Sequence, residues 1–136
     1  MKRVAIGLKT AWRYLWPSPY TVLGLWMMLA PWSGQRRWIV HRGTIGIVGP
    51  GVERLLSKAP IYGGAWALTL GHTIWAVSES AFYESWDHEY VHVRQYERWG
   101  PLFVPAYFVS GWWQWMHRRD AYWDNPFEVE ARSSKF

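Results

Sequence analysis

His88 and His92 stand four residues apart in the segment HEYVH, with Glu89 between them. At about 100° per residue an α-helix separates positions i and i+4 by roughly 40° and one turn of rise, so both imidazoles can reach one ion. Glu89 lies about 100° round from His88, which sets its carboxylate beside such an ion instead of on it. That is where a general base must stand to take a proton from water. Zinc lowers the pKa of a coordinated water to about 7 and polarises a carbonyl. The spacing therefore has a mechanism, metal-assisted hydrolysis with Glu89 as the base. The chain has no Cys, so disulfides are excluded and a metal site must use histidine and carboxylate.

A catalytic zinc site usually has a third protein ligand and leaves a fourth position for water. Glu128 and Glu130, in NPFEVEAR, are the candidates. Geometry alone does not separate them, and Glu128 also stands three residues after Asn125, where a capping box would account for it without a metal. Gln95 and Trp99 share the helical stripe of the two histidines, while Arg94, Glu97 and Arg98 fall on the far side, so the stripe faces inward. Gln95 can bond a substrate, orient a ligand or simply line the cleft wall. Tyr107, His117 and Tyr122 are candidates for an oxyanion donor, although each also has a packing or interfacial explanation. His72 is a candidate for a substrate-binding edge, with a structural role as the alternative, and His41 is a weaker one.

The elements that must hold these residues can be read from punctuation and period. A helix from about Trp86 to Trp99 carries HEYVH and stops at Gly100-Pro101. Leu102 to His117 is apolar nearly all round, tolerates Pro105 in its first turn and places Arg118-Arg119 at its C-terminal dipole end. A third helix opens at Asp124-Asn125-Pro126, with Asn125 as N-cap and Pro126 at the first helical position. Upstream, the runs Trp38–His41, Thr44–Val48, Ala65–Leu70 and Thr73–Val77 read as strands of a small antiparallel meander. Arg42-Gly43, Gly49-Pro50-Gly51 and Gly63-Gly64 separate them, and Gly71-His72 is either a tight turn or a bulge in one longer strand.

With 136 residues the chain fits one compact domain, and half of it is apolar, with 13 Trp and only 18% charged residues. Trp and Tyr collect at membrane interfaces and at large contact surfaces, so lipid or a protein partner is expected. The net charge of +5 is spread over small groups such as Lys2-Arg3, Arg36-Arg37 and Arg118-Arg119, with no basic stripe. Nucleic acid is therefore not expected as a partner, whereas anionic head groups on the cytoplasmic side of a membrane fit. The apolar run Tyr20–Trp32 is about 13 residues long, short of the roughly 20 needed to cross a bilayer. It reads as a retained re-entrant or interfacial segment, with a buried core helix as the alternative.

HEYVH followed by Glu-Val-Glu-Ala resembles the gluzincin arrangement of zinc peptidases, in particular the membrane-bound heat-shock and prenyl-protein-processing proteases. In that family the third ligand opens a Glu-x-x-Ala-Asp motif; aligned on Ala131, the resemblance implies Glu128 as that ligand. Arg132 stands where those peptidases have Asp, so Asp87, Asp120 or Asp124 would have to orient a zinc-bound histidine. The longer strings also resemble small bacterial proteins bearing HExxHxxQ and NPFExEA, over roughly Leu70 to Arg132, and the expected location is a bacterial inner membrane.

The expectation is an α+β, zincin-like fold. A small antiparallel sheet is followed by an active-site helix, an apolar helix and a third-ligand helix in residues 37–136, after a membrane-contacting segment in residues 1–36. The expected function is that of a membrane-associated zinc peptidase acting on a peptide or protein, with zinc on His88, His92 and Glu128 and with Glu89 as the base. The alternative is a non-catalytic subunit of a membrane protein complex.

Overall fold

Period-two alternation in the middle of the chain builds a sheet whose two faces are covered by different helices. In the computed structural model, which describes residues 2–29, 35–58 and 65–134, β1 (Arg37–His41) and β2 (Thr44–Val48) form an antiparallel hairpin. Its two turn residues, Arg42 and Gly43, both have positive φ, the form of two-residue turn that follows strand twist. A short helix α3 (Pro50–Leu56) then carries the chain across, and β3 (Ala67–Leu70) and β4 (Thr73–Ala76) form a second antiparallel hairpin.

The strand order is β1-β2-β4-β3, and β2 runs parallel to β4. The sheet is therefore mixed, which corrects the expected antiparallel meander. The reason is the crossover: Gly49-Pro50-Gly51 is the start of α3, with Pro50 at the first helical turn, and not a hairpin turn. Gly71-His72 proves to be a tight turn, with Gly71 at φ +60°, and a Cβ there would lie 2.6 Å from the Thr21 amide nitrogen.

Ile47 and Trp75 face one side, where they pack with Val52 and Leu56 of α3 and with Met28. Val48, Ile74 and Ala76 face the other, against Phe82, Trp86 and Val93 of the long helix α4 (Glu79–Trp99). Gly46 lets that helix approach, since a Cβ there would stand 2.4 Å from the Phe82 ring. α4 begins well before the expected Trp86. Ser78 caps it by accepting a hydrogen bond from the Ala81 amide at 3.1 Å.

Gly100 ends α4 at φ +55°, a 3-10 turn (Gly100–Leu102) follows, and α5 (Phe103–Met116) and α6 (Pro126–Ser133) complete the chain. Asn125 caps α6 as expected, its Oδ1 accepting from the Phe127 amide at 3.1 Å.

Two helices precede the sheet, α1 (Lys2–Leu15) and α2 (Ser18–Leu29). α2 buries Gly24 and Met28 against the sheet and leaves Val22, Trp26 and Leu29 exposed. The run read as interfacial thus supplies a core residue, and its last residues lie outside the described ones, as does Gly63-Gly64. Among the described residues no helix is long and apolar enough to cross a membrane.

Candidate metal centre

α4 presents His88, Glu89, His92 and Gln95 toward the sheet edge and α6, as a helical stripe should. Nε2 of His88 and Nε2 of His92 are 3.2 Å apart. Glu128, from the first turn of α6, reaches across: its Oε2 lies 3.2 Å from His88 Nε2 and its Oε1 3.4 Å from His92 Nε2. The three residues form a cluster whose donor atoms all lie within 4.8 Å of one another. A tetrahedral ion with bonds of about 2.0–2.1 Å separates its donors by about 3.3–3.4 Å, close to these spacings.

Two further observations test whether this cluster suits a cation. Glu128 Oε2 is buried and makes no well-formed hydrogen bond, its near neighbour being the His88 ring nitrogen at 3.2 Å, a place where a bound cation would satisfy both. Two imidazoles and a carboxylate are also a donor set that zinc takes. The residues fit the ion. Of the two glutamates left open by spacing, Glu128 joins the histidines, whereas Glu130 bonds Gln95 at 2.7 Å and Arg98 at 2.6 Å. The capping box is not formed, because the Glu128 carboxylate turns to the histidines and to Tyr107, whose hydroxyl donates to Oε1 at 2.6 Å.

The electrostatics follow from this crowding. Burial pushes the Glu128 carboxyl up, but His88, His92 and the Tyr107 hydroxyl outweigh it and hold it well below the ordinary range. For His92, burial lowers the pKa, and Glu128 together with the Glu89 charge raises it to a net upward shift. Tyr107 is driven up by burial and by Glu128 and stays a donor. Tyr122 is pushed up to about 12 by burial and by the charges of Glu128 and Glu89.

Glu89 is buried beside the cluster, and Thr69 of the edge strand β3 donates to its Oε2 at 2.6 Å. Thr69 was not singled out from sequence. Its signal is positional: on β3 it alternates onto the α4 face.

Gln95 is fully buried, with Oε1 2.8 Å from His92 Nδ1 and with Nε2 donating to the Phe127 carbonyl at 3.0 Å and to Glu130. At His92 the orienting bond comes from Gln95 and not from Asp120 or Asp124. Asp120 and Asp124 instead hold the turn before α6, on the amides of Tyr122, Trp123 and Asp120. Arg132 donates to the Trp123 carbonyl and stacks on its ring. His117 is likewise away from the cluster, bonded to the Trp113 carbonyl at 2.7 Å. His72 bonds Glu97 at 3.2 Å, and His41 packs edge-on against Trp86.

Comparison of the chain with protein-family models, with curated proteins and with solved structures finds no match in any of the three.

Proposed function

We propose that the protein is a zinc-dependent hydrolase of peptide bonds working at a membrane, with His88, His92 and Glu128 as ligands and Glu89 as general base. The observation that carries this reading is the convergence of the two imidazoles and Glu128 at 3.2–3.4 Å, with Glu89 buried alongside. The resemblance of HEYVH and NPFEVEAR to gluzincin peptidases supports a peptide or protein as substrate and the zincin-like character of the fold.

Zinc bound at the cluster would supply Lewis acidity, polarising a carbonyl and acidifying a coordinated water. Glu89, aimed by the Thr69 hydroxyl, takes a proton from the attacking water and returns it to the leaving amine. Tyr107 donates its single hydroxyl proton to Glu128 and so holds that ligand carboxylate in place, while Tyr122, also protonated, stands close to the same carboxylate.

A second reading, a non-catalytic subunit of a membrane assembly, is favoured by one observation: Trp26, Trp112, Trp113, Trp115 and Trp123 are all largely exposed. Glu89→Gln separates the two. The peptidase reading expects cleavage of a peptide library to fall by about 10²–10⁴-fold with zinc content unchanged. Undiminished cleavage by Glu89→Gln, or no cleavage by the zinc-loaded wild type, overturns it.

A further inference from the structure

We infer that the outer face of α5 docks onto an anionic lipid bilayer and holds the metal centre at the membrane interface. This deepens the membrane part of the reading above and names the surface, the lipid chemistry and the orientation. α5 has two faces. Phe103, Gly111 and Gln114 are buried on the inner one, together with partly buried Tyr107. On the outer one, Phe108, Val109, Trp112, Trp113, Trp115 and Met116 are each more than half exposed. The four aromatic rings alone leave on the order of 500 Å² of apolar surface in water, about as much as the largest patch of an ordinary soluble monomer.

Charge selects the occupant. The chain has no Asp or Glu between Glu97 and Asp120, α5 itself carries no charge, and Arg118 and Arg119 follow it after His117, Arg119 with one guanidinium nitrogen on Gln114 at 3.3 Å. An uncharged aromatic stripe closed by two arginines is complementary to acyl chains and anionic head groups together. With 14 residues, α5 is about 21 Å long, against the roughly 30 Å of a hydrocarbon core, so it lies in the interface and does not cross.

The inner face gives the docking a consequence. Tyr107 bonds Glu128 at 2.6 Å, and the Phe103 ring lies 6.2 Å from that of His92. The metal centre therefore sits about one helix diameter, roughly 10 Å, from the lipid. Substrates that reach it there are polypeptide segments emerging from, or lying on, the bilayer surface.

The test is flotation of the full chain with vesicles of phosphatidylcholine alone and of phosphatidylcholine with phosphatidylglycerol. It is run on the Glu89→Gln variant, so that docking is read without hydrolysis. The expected result is binding to the anionic vesicles, weakened at least about tenfold in W112E/W113E. In R118Q/R119Q the anionic preference shrinks, and in V40E, on the distant β1 edge, binding is unchanged. F108S reads the same face if the double variant misfolds by circular dichroism. Equal binding by the Glu89→Gln parent and by W112E/W113E and F108S in that background overturns the inference. So does a lipid-free dimer that W112E/W113E dissociates while the wild type ignores vesicles, because the face then joins two copies.

Discussion

Gln95 holds His92 in one tautomer. The Gln95 Nε2 group faces two acceptors, the Phe127 carbonyl and the Glu130 carboxylate, which fixes the amide and turns Oε1 toward His92 Nδ1 at 2.8 Å. Nδ1 must then carry the proton, and Nε2 presents its lone pair to the cluster. Gln95→Leu is predicted to weaken zinc binding about 10–100-fold, read by competition with a chromophoric chelator. Unchanged affinity contradicts the orienting role.

Thr69 and Glu89 form a second such pair across the gap between β3 and α4. The hydroxyl donates to a buried carboxylate at 2.6 Å, and hydrogen bonds to charged groups contribute about 1.5–3 kcal/mol. Thr69→Val keeps the shape and removes the donor, so it is predicted to lower stability by that amount. Any hydrolytic rate should fall with zinc content unchanged. Urea unfolding and metal analysis on the same sample check both halves, and a variant as stable as wild type rejects the pairing.

Glu97 ties α1 to the body of the protein, through Arg13 at 3.0 Å and His72 at 3.2 Å. Burial pushes its carboxyl up, but the bonds to His72 and Arg13 and the charges of Arg13 and Arg94 leave it lowered from 4.5. A depressed folded pKa gives stability that is fully present above the unfolded value and is lost as pH falls through the folded one. Stability is therefore predicted to drop on acidification below about pH 4.5. Glu97→Gln should flatten that drop, while Arg13→Ala, with a partly exposed guanidinium, should cost no more than about 1 kcal/mol at neutral pH. A wild-type and Glu97→Gln pair that lose stability in parallel between about pH 5 and 3 contradicts the account.

Gly24 sets how closely α2 lies on the sheet. A Cβ there would stand 2.1 Å from Thr73 Oγ1, which is itself bonded to the Leu70 carbonyl. Gly24→Ala is predicted to destabilise by about 1–3 kcal/mol, measured by thermal melting, with part of the loss recovered in the Gly24→Ala/Thr73→Ala pair. Strict additivity places the clash elsewhere.

The parts of the architecture that are local in sequence could be read from it. His88, His92 and Gln95 share one stripe because helical period brings them there, and Asn125-Pro126 marks its helix through the chemistry of the first turn. Glu128 and Glu130 could not be separated by residue type, since both are carboxylates on one helix; the crossing of α6 over α4 decides where each one goes. The parallel pairing of β2 with β4 depends on a crossover through α3, which the glycines around Pro50 disguise as a turn. The run that holds Met28 reads equally as an interfacial segment or a core helix, and the packing of α2 on Ile47 and Trp75 makes Met28 core.

Metal content of the purified full chain tests the central claim most directly. The prediction is about one zinc per chain in the wild type and in Glu89→Gln, and strong loss in His88→Ala, His92→Ala and Glu128→Ala, each still folded by circular dichroism. A wild type that takes up no zinc, or a Glu128→Ala variant that binds it as tightly as the wild type, contradicts the three-ligand site.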